Sequence, residues 1–445
     1  MESPGSKPNL LFFLAEHHRW DWLGYPGAIP VHTPTIDRLI KEGVQFSQCR
    51  CSSPLCAPSR AGIATGLRYH RAGVPGNRSD LDPSLPTFMR ELRNSGYRVA
   101  TCGKTDLHKK SHLFGLDGSS DRLDELGFTD AIDMCGKRDS ALVKGRDQPI
   151  EPYMAWLHEE GLAQIICDDL VSRATRDMDP VGSGEGICTR PFPADRRYQI
   201  DDFSGTKSIE LLNRLPIEEP WFLQINWGSA HPPFDAAKEL LDPYSSVDFS
   251  LPEDSRDTIT DHLAVRRQYA AMLTGMDEWM ARVLAAVNAR GELENTIVVY
   301  SADHGEMLGD HGLWNKGVPY EPSVRIPLIV SGPGIDRGRQ SDALVESIDL
   351  AATILDLAGV DPADDWDASS LVPILNGNKE VHREISFSAL GQWRMAVDNR
   401  YKCIVSENNE NRLFDLAADP GELRDVKAEN PERFRALRDA ILETP

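Results

Sequence analysis

Short apolar runs alternating with helical patterns constrain this chain most. Asn9–Ala15 (NLLFFLA) is continuously apolar after Pro8. A half-buried strand would alternate, so an unbroken run reads as a strand covered on both faces. Tyr97–Cys102, Trp221–Trp227, Thr296–Ser301 and Ile326–Val330 read as further strands, TIVVYS being enriched in β-branched residues. Between them lie helical patterns: Thr35–Glu42 stopped by Gly43, Pro58–Thr65 with proline in its first turn, Thr87–Asn94 with Gly96 as C-cap, Asp261–Ala289 and Ile348–Ala358. The expected fold class is α/β, a large, mostly parallel sheet sandwiched by helices.

Two regions break the rhythm. Residues from about Lys109 to Arg197 are rich in Asp, Gly and Pro with weak periodicity. Long irregular segments in compact domains often form lids or binding loops. From about Val381 the runs EISFSAL, WRMAVD, YKCIVS and RLFDL read as short antiparallel strands, followed by a helix at Pro431–Leu442. The expected division is residues 1–378, with an irregular insert at about 109–197, and a small C-terminal α+β unit at 379–445.

The chain has 445 residues and a formal net charge of -21. A phosphate-backbone partner needs a basic surface, so nucleic acid is excluded. A small anionic substrate is not, because a few local cations dominate one pocket. LLFFLA lacks a preceding basic region and is too short for a signal peptide or membrane span. The expectation is a cytoplasmic protein with no membrane partner. Eight scattered cysteines are then expected as free thiols rather than a disulfide framework. Cys49, Cys51 and Cys56 lack the second Cys/His pair of a zinc finger.

Ligands in open α/β sheets bind beyond the carboxyl ends of the strands. Four expected strands end in reactive residues: Glu16-His17-His18, Lys104 with His108 shortly after, His231, and Asp303-His304. Each alone is weak, since polar residues in loops are common and Asp303 suits a helix cap. Together they would face one edge of the sheet. Glu16, His17, Asp303 and His304 offer metal ligands. Oxygen donors suit calcium, magnesium or manganese, and imidazoles move the preference toward manganese or zinc. Lys104, Lys316 and Arg60 add cations, so metal plus cations describe a pocket for sulfate or phosphate oxyanions. Arg196 and Arg197 read as a solvated charge pair, and His18 has no evident role.

The stretch CSSPLCAPSRAGIATG, residues 51–66, places Cys56 just before Pro58 at a helix start. Backbone N–H groups there stabilise a developing anion, which suits a nucleophile.

CAPSR followed by AGIATG resembles the signature of type I sulfatases, members of the alkaline phosphatase superfamily. KPNLLFFLAEHHRWDWLG, GYRVATCGKTDLH, INWGSAHPPF, VVYSADHGEMLGDHGLWNKG and RLFDLAADPGELRDV are similar, in order, to that family's other motifs. The resemblance implies an alkaline-phosphatase-like fold and a sulfatase catalytic domain over 1–378. It also implies oxidation of Cys56 to formylglycine by a maturation enzyme. The hydrated aldehyde attacks sulfur with one hydroxyl and expels sulfate with the other. Carried over, Cys56 is nucleophile and metal ligand, and Arg60 steadies both. Glu16, His17, Asp303 and His304 complete the metal set, with calcium the family's usual ion. Lys104, His108, His231 and Lys316 hold the sulfate or its leaving oxygen, and His231 is the candidate general acid.

Two departures stand out. Family members carry Asp-Asp or Asp-Gln where this chain has Glu16-His17, and the lysine–histidine spacing in GKTDLH is longer than usual. DHG recurs at Asp310–Gly312, but the first copy directly follows the strand. The leading expectation is a sulfuric ester hydrolase acting on a small-molecule sulfate ester. The alternatives are a phosphonate monoester or phosphodiester hydrolase of the same superfamily, and a non-catalytic binding protein with a ruined metal site. Homo-oligomer formation is left open.

Overall fold

The computed structural model describes residues 7–142, 148–174, 187–254, 261–362 and 365–444. Eight strands form the central sheet: β1 (Asn9–Ala15), β2 (Gly43–Arg50), β3 (Arg98–Gly103), β4 (Asp130–Asp133), β5 (Trp221–Asn226), β6 (Thr296–Ala302), β7 (Leu328–Ser331) and β8 (Arg339–Glu346). Their order is β4-β3-β5-β1-β6-β7-β2-β8. Only β7 runs against its neighbours. β1 is central, with Phe12 facing Gln224 on β5 and Val299 on β6. All seven of its residues are buried. Each Leu or Phe there is worth about 1.5–3 kcal/mol of transfer free energy, which is why this run dictates the sheet.

The parallel strands point their carboxyl ends to one edge. There β3 closes on β5 through Gly103, whose φ is 92°. A Cβ at Gly103 would lie 2.0 Å from the Asn226 carbonyl oxygen, so only glycine lets the chain turn there and deliver Lys104.

Three elements of the sheet layer lie outside the strands and helices expected from the sequence. β2 (GVQFSQCR) and β8 (RQSDALVE) mix polar residues into partly exposed positions, so neither shows an unbroken apolar run. The helix Ile200–Arg214 contains Gly205, which reads as a breaker. Gly205 is instead a packing site: a Cβ there would meet the Trp279 ring at 2.3 Å.

The stretch expected as irregular over 109–197 holds β4 and the helices Lys137–Leu142, Pro152–Glu159 and Ala163–Ala174. Residues 143–147 and 175–186 of it lie outside the described part. Tyr153, Met154, Leu157, Ile166 and Phe203 form a separate small core beneath it. Glu151 caps the helix Pro152–Glu159, accepting from the Met154 and Tyr153 N–H groups at 2.8 and 3.1 Å. Burial pushes its carboxyl up to about 7 against those bonds. The unfolded chain ionises this group first as pH rises, so folding stability falls between about pH 4.5 and 7, on the order of 3 kcal/mol at most. We expect Glu151→Gln to remove that fall, read as urea midpoints flat over this window relative to wild type.

The C-terminal sheet has the antiparallel order β12-β11-β10-β9, built from β9 (Ser386–Leu390), β10 (Trp393–Val397), β11 (Tyr401–Ser406) and β12 (Arg412–Asp415). Its alternation divides two interfaces. Met395, Val397, Ile404 and Phe414 join the main core. Ala396, Cys403 and Leu413 face Leu437 and Ile441 of the helix Pro431–Glu443. A buried ion network reinforces the joint: Lys402 reaches Glu321 at 3.1 Å and Glu422 at 2.7 Å, and Arg50 pairs with Glu321.

Candidate active site

The helix Cys56–Thr65 begins at Cys56 itself and is buried on every side. Its small residues permit this. It docks on the end of β6 through Ser59, whose hydroxyl donates to the Asp303 carbonyl at 2.5 Å, and Arg60, whose Nε donates to Asp303 Oδ2 at 3.1 Å. Arg60 Nη1 also donates to the Lys104 carbonyl at 2.6 Å and to Asn226 Oδ1 at 3.1 Å. One guanidinium thus ties the helix Cys56–Thr65 to the ends of β3, β5 and β6.

β1 ends at Ala15, and two residues on His17 has a left-handed backbone with φ 57°. That bend breaks the alternation of faces, so Glu16 and His17 serve the same site. Glu16 N–H donates to the Ser229 carbonyl at 3.0 Å, and Ala230 N–H returns to the Glu16 carbonyl. This pairing carries the loop after β5, and with it His231, to Glu16.

Around Cys56 Sγ lie Glu16 Oε1 at 3.3 Å and His304 Nε2 at 3.4 Å. Ligand atoms of Glu16, His17, Cys56 and His231 lie within 4.8 Å of one another, as do those of Cys56, Asp303 and His304. Lys104 ion-pairs with Glu16. Lys316 Nζ donates to His17 Nε2 at 2.5 Å and to His231 Nε2 at 3.2 Å. Nine of the ten sequence-derived site residues therefore converge: Glu16, His17, Cys56, Arg60, Lys104, His231, Asp303, His304 and Lys316. His108 is the exception. Its Nε2 is bonded to Asp133 at 2.8 Å and its Nδ1 accepts from Leu113 N–H at 3.1 Å, so both nitrogens are committed away from Lys104.

The partners of Lys104 escaped the sequence reading. Asp106 pairs with Lys104 at 3.2 Å and with Lys109 at 2.7 Å. Burial raises the Asp106 carboxyl, but Lys104 and Lys109 hold it well below the usual range. Glu306 and Asn226 were missed as well. Glu306 lies three residues after Asp303, a spacing that carries no signal without the turn that folds it back.

His18 is a core histidine bonded to Tyr300 and to the Trp22 carbonyl. The second DHG copy is spoken for too, with Asp310 paired to Arg19 at 2.6 Å. Arg196 pairs with Glu278 and Arg197 is exposed. Cys49, Cys51, Cys56, Cys102, Cys135 and Cys403 are free thiols. Burial pushes the Cys56 thiol up, Lys104 and Lys316 pull it down, and the balance stays above the ordinary value. The helix start therefore does not turn the thiol itself into a thiolate nucleophile.

The donor set fits a divalent cation. Glu16 Oε2 is buried without a hydrogen-bond partner, and such an atom is costly unless it meets a cation.

The chain matches the Sulfatase family over residues 8–360 and the family described as N-sulphoglucosamine sulphohydrolase, C-terminal, over 309–441. It is 26% identical to an arylsulfatase of Clostridium perfringens, covering 98% of this chain and 94% of that one. It is 27% identical to a choline-sulfatase of Rhizobium meliloti, covering 96% and 83%. The solved phosphonate monoester hydrolase of Agrobacterium radiobacter shares the fold, with a TM-score of 0.79, 22% identity and coverage of 98% and 95%. Fold and motifs together define a hydrolase of the alkaline-phosphatase-like class. The chain belongs to the sulfatase family within it and is a sulfuric ester hydrolase whose family implies a divalent metal. Among the described residues no helix is long and apolar enough to cross a membrane.

Proposed function

We propose that the chain hydrolyses a small-molecule sulfate monoester to an alcohol or phenol plus sulfate, using Cys56 after its conversion to formylglycine. The carrying observation is the position of Cys56 Sγ, 3.3–3.4 Å from Glu16 and His304 and within 4.8 Å of His17 and His231, with Lys104 paired to Glu16 and Lys316 to the two histidines. As hydrated formylglycine, residue 56 supplies two hydroxyls, one to attack sulfur and one to carry the charge that expels sulfate. Conversion needs a maturation enzyme that reads the segment around CAPSR before the fold buries it.

Glu16, His17, Asp303 and His304 hold the divalent metal, which supplies Lewis-acid stabilisation of the oxyanion. Calcium is the ion the resemblance implies. Lys104 and Lys316 bring ammonium donors to the sulfate oxygens, where charge grows in the transition state. His231 Nε2 lies beside Lys316 and 4.0 Å from Glu16 Oε1, in reach of a leaving oxygen to which it delivers a proton. Burial and then Lys316 hold His231 well below its ordinary value. An anionic substrate offsets the second effect and so raises the proton affinity of His231. His108 supports this scheme from outside, by fixing Asp133 and the loop after β3.

The proposal divides the chain into a catalytic domain over 1–378 and a small domain over 379–445, supported by the separate core beneath the terminal helix. A cytoplasmic location is supported by the free thiols of Cys49, Cys51, Cys56, Cys102, Cys135 and Cys403.

The test joins two measurements. Peptide mass spectrometry across Cys56, after expression with a maturation enzyme, is expected to show a loss of about 18 Da, thiol to aldehyde. The modified protein is then expected to cleave 4-nitrophenyl sulfate faster than a matched phenylphosphonate ester. Full activity with an unmodified thiol would remove formylglycine from the scheme. A faster phosphonate reaction would favour phosphonate monoester hydrolysis instead.

A further inference from the structure

Three imidazoles surround Cys56, and each has its tautomer set by a different acceptor. His17 Nδ1 lies 2.7 Å from Glu306 Oε2. His304 Nδ1 lies 2.9 Å from the Gly305 carbonyl, and His231 Nδ1 lies 2.5 Å from the Pro232 carbonyl. Carbonyl and carboxylate oxygens accept, so each ring carries its proton on Nδ1. Lys316 confirms this for two rings, because an ammonium has no lone pair and donates to both His17 Nε2 and His231 Nε2. Donor atoms of His17 and His231 gather with Cys56 and Glu16, and those of His304 gather with Cys56 and Asp303, so the two groups meet at Cys56. The rings of His231 and His304 lie 4.3 and 4.5 Å from that of His17.

This is not the donor set of a hard cation. Calcium and magnesium take oxygen ligands almost exclusively, while imidazole suits zinc, manganese, iron and copper. A carboxylate accepting from the far nitrogen of a ligating histidine also raises the basicity of the ring. Glu306 holds that position, fully buried and fixed by the Asn315 N–H at 2.6 Å and the Leu308 N–H at 3.3 Å. Glu16 Oε2, buried and unpartnered, adds an oxygen donor on the same side.

We propose that His17, oriented by Glu306, and His304 are nitrogen ligands that make this site select a transition metal ion of the zinc or manganese class over calcium or magnesium. The inference rests on the metal site of the proposed function and replaces the ion that family resemblance implies. Lys316 swings on its four-carbon stem from His17 toward the substrate when the ion binds. His231, at the outer side of the cluster, keeps its role toward the leaving oxygen.

The test uses the full-length protein, stripped with a chelator and titrated with cobalt(II), read by visible absorption and by bound-metal analysis. One equivalent of cobalt is expected, with bands that persist in about hundredfold excess of calcium. Glu306→Gln presents an amide N–H to His17 Nδ1 when its oxygen keeps the Asn315 and Leu308 bonds. The ring then protonates on Nε2 and loses its ligand lone pair. Cobalt affinity is expected to fall about 10- to 100-fold in Glu306→Gln and at least as far in His17→Gln, with far-ultraviolet circular dichroism unchanged. Displacement of cobalt by equimolar calcium would overturn the inference while leaving a metal-dependent sulfatase intact, and this arm needs no variant. An unaltered cobalt affinity in folded His17→Gln would overturn it too. If folded wild-type protein bound neither ion, the inference and the metal of the proposed function would fall together.

Discussion

Cys56→Ala is expected to lower kcat/KM for sulfate esters by about 10⁴- to 10⁶-fold, the loss that follows removal of a covalent nucleophile from an otherwise intact site. The fold should survive. Cys56 is 1% exposed, and the hydrogen bonds of its side chain go to Glu16 and His304. Trimming one buried sulfur costs about 1 kcal/mol. Single-turnover assays with wild-type and variant protein separate the step: substrate binding through Lys104 and Lys316 should persist, while release of the first alcohol should not. A variant retaining more than about a hundredth of the wild-type rate would mean that another group attacks sulfur.

Arg60→Ala should be the most damaging change to the folded state and the site together. Arg60 is 2% exposed and Asp303 is fully buried, so removing the guanidinium strands a carboxylate inside the protein. It also takes a donor from the Lys104 carbonyl and leaves Asn226 Oδ1 with Gln224 Nε2 at 2.8 Å. Breaking such a pair costs about 3–5 kcal/mol. The guanidinium is held firmly protonated: burial lowers its proton affinity, but Asp303, Glu16 and Asp106 raise it further. Arg60→Lys keeps the charge without the fork, so it should fall between the two, since one ammonium cannot serve the ends of β3, β5 and β6 at once. Urea unfolding followed by tryptophan fluorescence gives the stability loss, and bound-metal analysis shows whether Asp303 stays in place. A wild-type midpoint for Arg60→Ala would contradict the account of this ion pair.

Legibility of this chain followed burial and local pattern. β1, β5 and β6 were readable because strands covered on both faces are apolar along most of their length. The β9–β12 sheet was readable because its alternation is short and its turns are polar. β2 and β8 lie where one face or one end is wet, so they lack that signature. The helix Ile200–Arg214 was hidden by Gly205, whose reason is the Trp279 ring against it. Helices in 137–174 were hidden because their core is small and shared with Phe203 from outside the segment.

The site divides in the same way. The sequence by itself determined which residues stand at the strand ends: Glu16-His17, Lys104, His231 and Asp303-His304, with Cys56 and Arg60 on a helix start and Lys316 in GDHGLWNKG. Strand period and motif order suffice for that, because a parallel sheet sends all its carboxyl ends to one edge. Only the tertiary structure decided which of them touch. His108 turns away to Asp133, Asp106 and Lys109 gather behind Lys104, and Glu306 folds back onto His17. The last of these goes with a left-handed turn at His17 and with the 2.7 Å bond from Glu306 that sets the ring's tautomer. Backbone turns and proton positions are fixed by packing between segments up to 299 residues apart, and no local pattern in the sequence encodes them.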